Sequence, residues 1–122
     1  MKFKTYDESI DWFDGLQSER DLHAIWSMGD TDFDSGFEYT GPELGDVAIE
    51  GDVIFECSYD GFWGKGRDYR CVMTDPTYMD IWEAASEMIE VTGDYHHVFL
   101  EGFSKSGVED DGTPIYEFYM GS

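Results

Sequence analysis

The sequence predicts an α+β domain: a mainly antiparallel sheet of about five strands, a short N-terminal helix (or two) and one long amphipathic helix packed on one face. Apolar and polar side chains alternate over residues 53–60, which is the period of a half-buried strand. Apolar residues over 78–89 recur at helical steps of three and four. Two further β segments follow, and hairpin-connected strands interrupted by helices are typical of this class. The chain of 122 residues predicts a single domain, 1–122.

The N-terminal segment carries the start signal of a helix. Thr5 and Glu8 have the spacing of a capping box, and Gly15 is placed to end the helix. Its apolar stripe consists of Ile10, Phe13 and Leu16. A second short helical segment, beginning at Ser18, is an alternative for the residues that follow. Its inward-facing residues would be Leu22, Ile25 and Trp26.

The middle of the chain predicts a loop followed by a β-hairpin. Residues 28–45 are rich in Gly and Asp and predict a loop, with one short strand at 37–40. Residues 46–59 predict continuous β structure. A turn at 60–66 then leads into a returning strand at 68–73.

Two cysteines, Cys57 and Cys71, lie at equal distances from Gly64 in this hairpin. A turn centred on that glycine would place them opposite each other. Two cysteines are too few for a disulfide scaffold or an all-cysteine zinc site. The pattern favours two reduced thiols in a cytosolic protein over a disulfide.

The clearest helical signal follows the hairpin. Asp75 is a candidate N-cap, Pro76 suits the first helical position, and Gly93 suits a left-handed C-cap. The apolar face between them is formed by Tyr78, Ile81, Trp82, Ala85, Met88 and Ile89. Two strands, 96–103 and 113–120, are predicted after the helix and are joined by an acidic loop.

The charge of the chain is strongly unbalanced, with 28 acidic against 7 basic residues and a formal net charge of −21. Between Arg20 and Lys65 there are eleven Asp or Glu and no Lys or Arg, and seven more acids lie between Cys71 and Ser104, again with no base. Such self-repulsion costs folding free energy. Because 41% of residues are apolar and 17% aromatic, a solvated acidic tail is excluded. The sequence therefore predicts a folded domain with a strongly negative surface.

The first candidate binding site is a row of carboxylates on the helix after Asp75. Its members are spaced three, four and three residues apart: Asp80, Glu83, Glu87 and Glu90. Neighbours at these spacings lie ~5–6 Å apart, similar to phosphates along one nucleic-acid strand. No Lys or Arg follows any of them at four residues. An ordinary solvated helix face is the alternative interpretation.

The second candidate site is an acidic loop that contains Asp30, Asp32, Asp34 and Glu38. Alternating aspartates resemble the start of an EF-hand loop. The match fails because Ser35 stands where the loop needs glycine, and Gly41 stands where it needs a bidentate glutamate. We therefore predict no metal site here, only an acidic loop that attracts divalent ions weakly.

Other residues carry no signature of catalysis. His96 and His97 are adjacent, so in a strand they would point to opposite faces and could not share a metal ion. The basic cluster Lys65, Arg67 and Arg70 is expected to pair with nearby acids rather than bind an anion. Those acids are Glu56, Asp60 and Asp68. No catalytic residue, cofactor or P-loop is predicted, so the chain is not expected to be an enzyme.

In its composition and its carboxylate rows the chain resembles the small acidic inhibitors that phages and mobile elements encode against host defences. These are the anti-restriction and anti-CRISPR DNA mimics. The resemblance implies a non-enzymatic inhibitor whose partner is a basic nucleic-acid-binding protein or complex: a nuclease, a restriction enzyme or a CRISPR effector. It implies no direct binding of nucleic acid.

The resemblance is one of composition, and three other classes fit the same residues. They are an inhibitor of a nucleic-acid enzyme that acts without DNA mimicry, a weak divalent-ion-binding protein, and a halophile's acidic domain. No apolar stretch reaches the ~18 residues that a membrane span needs. No membrane partner is therefore expected, and the cytoplasm is the expected compartment.

Overall fold

The computed structural model describes the backbone of residues 4–32, 38–59 and 66–122, and their side chains except those of residue 6 and of 30–32 and 38–40. The described residues form two helices and seven strands. In chain order these are α1 (Tyr6–Glu19), β1 (Ile25–Trp26), β2 (Asp30–Asp32), β3 (Glu38–Thr40), β4 (Asp52–Cys57), β5 (Tyr69–Thr74), α2 (Tyr78–Thr92), β6 (Phe99–Val108) and β7 (Pro114–Gly121). Neither helix is long and apolar enough to cross a membrane.

Five strands form one mixed sheet in the order β1-β6-β7-β4-β5, and β2 pairs with β3 separately. The pairs β6/β7 and β4/β5 are antiparallel hairpins, whereas β1/β6 and β4/β7 are parallel. The predicted α+β class is confirmed, but the prediction of a mainly antiparallel sheet is wrong. The reason is the connection through α2, which delivers the β6/β7 hairpin to the far side of β4 with β7 parallel to it.

Helix α1 begins as predicted but ends later. The Thr5 hydroxyl accepts a hydrogen bond from the Glu8 amide at 3.1 Å. The Glu8 carboxylate accepts from the Lys4 amide, also at 3.1 Å, instead of closing the box on Thr5. The helix continues through Gly15, since an interior glycine costs only ~1 kcal/mol. With 14 residues in α1 and 15 in α2, the predicted contrast between a short and a long helix is wrong.

The alternative second helix beginning at Ser18 is also wrong, because the chain turns after α1 and enters the sheet as β1. The Ile25 amide donates to the Val98 carbonyl at 2.8 Å, and the Ser27 amide donates to the Leu100 carbonyl at 3.0 Å. Through these hydrogen bonds β1 pairs with β6 as a parallel strand. A two-residue strand is too short to show a period of its own.

The segment before β4 is not a strand, contrary to prediction. Residues 46–51 form bends with one isolated β-bridge, from Val47 to Thr77, and their backbone bonds to the chain entering α2. The Ala48 amide donates to the Pro76 carbonyl at 2.8 Å, and the Tyr78 amide donates to the Asp46 carbonyl at 3.1 Å. The short strand expected near residues 37–40 exists as β3. Most of the predicted turn at 60–66 lies outside the described residues.

Helix α2 starts at a different cap from the predicted one. Thr77 is the N-cap and forms a full capping box with Asp80, while Asp75 lies outside the helix with φ of 47°. The Asp75 carboxylate accepts from the Gly51 amide at 2.5 Å, which ties this turn to the start of β4. Gly93 ends the helix with φ of 74°, so the predicted left-handed cap is confirmed.

The predicted apolar face of α2 is buried, as expected. Ile81, Trp82, Ala85 and Ile89 have no exposed surface and pack against the sheet residues Val53, Phe55 and Leu100. Helix α1 reaches the same core through Phe13, whose ring lies 6.5 Å from both Trp26 and Trp82. Burial of one face of α2 fixes the opposite face toward solvent.

Candidate interaction surface

The acidic row predicted on α2 exists as a solvent-exposed row. Asp80, Glu83, Glu87 and Glu90 are all exposed, on the side of the helix opposite Ile81, Trp82, Ala85 and Ile89. The helix is anchored along its length by that buried face. The row is therefore held at the fixed spacing of a rigid element.

More of the negative charge of the row is paired than the sequence predicts. An Nη1 atom of Arg20, at the end of α1, lies 2.7 Å from the Glu83 carboxylate. The Asp80 carboxylate accepts from the Thr77 amide at 2.9 Å, and Glu90 lies 3.8 Å from the His23 ring. Arg20 is 63 residues from Glu83 in the chain, so a search for partners four residues away misses this pair.

Glu87 differs from its neighbours because it takes part in none of the ion pairs formed by the described residues. It faces the edge strand β5. Burial is the main reason why the pKa values of Tyr69 and Cys71 are raised, and the negative charge of Glu87 raises both further. Glu87 therefore lies beside Tyr69 and Cys71, the β5 residues whose side chains point toward the core.

A second acidic row lies on α1 and was missed by sequence reasoning. Asp7, Asp11 and Asp14 are exposed and spaced four and three residues apart. This is the same spacing that identifies the α2 row, so the signal was present in the sequence. The last turn of α1 contains no basic residue. Both helices therefore present carboxylates to solvent.

The predicted acidic loop is in part a strand pair. Asp30 and Asp32 belong to β2 and Glu38 to β3, with Asp32 and Glu38 at directly opposite register positions. Asp34 lies outside the described residues, as do the side chains of the other three. The backbone thus brings two acidic positions together, and like charges at opposite positions destabilise a strand pair.

The histidines lie in a turn before β6, not in the predicted strand. The His97 ring nitrogen Nδ1 lies 2.9 Å from the Asp94 carboxylate, which also accepts from the backbone amides of His96 and His97. Partial burial raises the pKa of Asp94, but these hydrogen bonds outweigh it and hold the pKa below 3.8. Nowhere in the described ranges do three or more His, Cys, Asp or Glu gather as a metal site would require.

The cysteines are both free, and they do not face each other. In the observed register Cys57 is opposite Tyr69 and Cys71 is opposite Phe55, which corrects the symmetric hairpin expected about Gly64. Burial raises the pKa of each thiol above 9.0. Both thiols are therefore protonated near neutral pH, which is the unreactive form.

Local pairing of the basic cluster is confirmed for Arg70. Its guanidinium bonds to Glu56 on β4 and to Glu109 in the β6–β7 turn. Arg67 is exposed, and its amide donates to the Val91 carbonyl at 3.1 Å. Lys65 lies outside the described residues. Arg70 is therefore used to connect strands and is not directed at a ligand.

No match to this chain is found among protein-family models, curated proteins or solved structures. Function is therefore inferred from the chain's own residues. Within the described part, the most distinctive surface consists of the α2 row and the adjoining edge of β5.

Proposed function

We propose that this protein is a non-enzymatic inhibitor that uses its acidic surface to occupy the nucleic-acid-binding surface of a basic partner. The partner class is a nuclease, a restriction enzyme or a CRISPR effector complex in the cytoplasm of a host cell. The observation that supports this is the exposed carboxylate row on α2, whose spacing is maintained by a fully buried opposite face.

A rigid row suits this role for an energetic reason. A hydrogen bond to a charged group contributes ~1.5–3 kcal/mol when the pair is well placed, and several such bonds add to a tight complex. A row on a mobile segment would lose part of this gain in ordering its side chains. The net charge of −21 also speeds association with a basic partner through long-range attraction.

The carboxylates of the row are not equally available. Glu83 is paired with Arg20, and Asp80 caps its own helix. Glu87 and Glu90 are therefore the members that can turn toward a partner at the smallest cost. We assign them the central contacts, with Glu83 joining where the partner's arginine displaces Arg20.

The test is capture of host proteins on the immobilised chain, followed by elution with rising salt. We expect the captured proteins to bind nucleic acid, to elute as salt screens the carboxylates, and to lose their nucleic acid when this protein is added. Glu87→Lys with Glu90→Lys should weaken capture at least tenfold. The matched control, Glu101→Lys with Glu117→Lys, changes the net charge equally at exposed positions on β6 and β7, away from α2 and β5.

Two outcomes would contradict the proposal. Simultaneous binding of this protein and nucleic acid to the captured partner would exclude mimicry. Equal losses from both double variants would show that total charge matters and the α2 row does not. A halophile's acidic domain, in contrast, would lose its fold at low salt, which circular dichroism measures directly.

A further inference from the structure

The outer edge of β5 is an open edge of the main sheet. β5 is the last strand in the sheet order, and within the described ranges it pairs only with β4. The strand runs six residues, Tyr69–Thr74, in unbroken register and contains no proline. Its only basic residue, Arg70, is held toward Glu56 and Glu109. The edge thus lacks the usual features that block pairing with another strand: proline, a bulge or a free lysine.

The hydrogen-bond pattern identifies which backbone groups face outward. The Asp75 amide donates to the Gly51 carbonyl at 2.9 Å, which sets the alternation of the β4/β5 pair. Tyr69, Cys71 and Met73 therefore bond to β4, while Arg70, Val72 and Thr74 direct their amide and carbonyl groups outward. Among the described residues, no backbone group pairs with these three.

A groove of about 350 Å³ runs along this edge, between β5 and α2. Tyr69, Cys71 and Met73 line one side, and the exposed carboxylates Glu83 and Glu87 line the other. On the opposite face of the sheet, the Val72 side chain is 66% exposed. An added strand would therefore meet the acidic wall of α2 on one face. On the other face it would meet Val72 beside Arg70, with Asp110 and Asp111 nearby.

The charges of the groove specify the occupant. Alternate side chains of a strand are ~6.6–6.8 Å apart, close to the ~5–6 Å between neighbouring carboxylates on the helix, so basic residues at every second position would face the acidic wall. A second copy of this chain would bring another α2 row against the first and carries a charge of −21 itself. Edge-to-edge self-pairing is therefore disfavoured.

We infer that β5 is a docking edge that takes an extended basic segment of the partner as an additional strand, with Lys or Arg at alternate positions facing Glu83 and Glu87. Main-chain hydrogen bonds to Arg70, Val72 and Thr74 supply affinity, and the carboxylates supply selectivity. This inference rests on the proposed function, because it assigns the element of the basic partner that makes contact.

The first test uses a synthetic peptide in which Arg alternates with Thr, and measures binding by fluorescence anisotropy. A control peptide of the same sequence is N-methylated at alternate amides, which preserves charge and removes the main-chain donors. We expect the control to bind at least tenfold more weakly. Hydrogen exchange at the amides of Arg70, Val72 and Thr74 should slow at least tenfold with the first peptide, while Cys71 and Met73 stay unchanged.

The second test changes the edge itself. Val72→Pro removes an outward amide that does not bond to β4, so the fold should persist, as edge strands tolerate proline at such positions. Peptide binding should fall at least tenfold. Val72→Thr keeps the amide and should bind as the unchanged protein does. If Val72→Pro does not fold, the pair of peptides still decides the question.

The results separate the inference from the proposed function. Equal binding of the two peptides, or binding without slowed exchange at the three amides, would overturn strand addition and leave charge recognition intact. Failure of the peptide to bind a protein that still captures its partner would also overturn it. Loss of partner capture in Glu87→Lys with Glu90→Lys, together with retained capture in Val72→Pro, would assign the contact to the helix alone. Dimerisation of the free protein in Val72→Thr, absent in Val72→Pro, would instead assign the edge to self-association.

Discussion

Trp82 connects three parts of the molecule at a single side chain. It is fully buried in α2, and its ring lies 5.4 Å from that of Trp26 in β1 and 6.5 Å from that of Phe13 in α1. Its Nε1 donates to the Ala24 carbonyl at 2.9 Å. Trp82→Ala removes this volume and leaves a buried carbonyl without its donor. We expect the free energy of unfolding to fall by ~3–5 kcal/mol, a large part of a typical ~5–15 kcal/mol total.

Urea denaturation checks this loss, and Trp12→Ala is its matched control. Trp12 is 39% exposed and lies on α1, so its removal should cost much less. Equal stability of Trp82→Ala and the unchanged protein would show that α2 packs by a different face.

Three weakly acidic side chains make stability sensitive to alkaline pH. Burial raises the pKa of Cys57, Cys71 and Tyr69 above their ordinary values of 9.0 for the thiols and 10.0 for tyrosine. The folded state then holds protons that the unfolded state has lost, so the stability from these groups is complete below about pH 9 and is lost as pH rises further.

Thermal unfolding measured from about pH 8 to about pH 11 should show this decline. That range brackets the ordinary pKa values of thiols and tyrosine. Tyr69→Phe removes one titrating group and should reduce the slope at the alkaline end. An identical slope in the variant would exclude Tyr69 as a contributor.

Helix α2 allows charge and fold to be changed separately. Glu87→Lys with Glu90→Lys should keep or raise the melting temperature, because it relieves repulsion between like charges. Glu83→Lys should lower it, because the new cation would face Arg20 in place of the present ion pair. Both residues of that pair are nearly half exposed, so the loss should stay near ~1 kcal/mol or below.

Calorimetry of these variants, with Glu83→Gln as the uncharged control, measures the difference. A higher melting temperature for Glu83→Lys would mean that the Arg20 contact does not persist in solution. In that event Glu83 would belong with Glu87 and Glu90 as a freely available carboxylate.

The sequence was most informative where one helix carried a complete pattern. The buried face of α2 and the Gly93 cap could both be predicted, because helical periodicity and a left-handed glycine are local signals. The strand β1 could not be predicted, since two residues show no period and pair with residues seventy or more positions later. The Arg20–Glu83 contact was missed for the same reason of distance along the chain.

Sheet direction is also a property that no single segment encodes. The β4/β5 and β6/β7 pairs join strands of opposite direction close together in the sequence, whereas the parallel register of Ile54 with Ile115 joins strands far apart in it. The exposure of the four α2 carboxylates could be predicted from their helical spacing, whereas the similarly spaced acids of α1 were not predicted as a row. The groove beside β5 needs the sheet order before it can be recognised.

At the scale of the whole molecule, the charge should prevent direct binding of nucleic acid. Within the described residues, Arg70 is neutralised by two glutamates and Arg20 by one, so the cations that remain face a net charge of −21. Gel-shift measurements with single- and double-stranded DNA and RNA at low salt should show no complex. A clear shift would contradict the assignment of the acidic surface as a mimic.

The central position of β7 has a consequence for how the chain folds. β7 lies between β6 and β4, so it joins the β1/β6 pair to the β4/β5 pair. A chain without residues 114–121 lacks the strand that joins the β1/β6 pair to the β4/β5 pair, so its sheet and core stay unfinished. Such non-local pairing slows folding, because distant segments must meet before their contacts form. The sheet, and with it the groove beside β5, is therefore completed only after synthesis has passed Gly121.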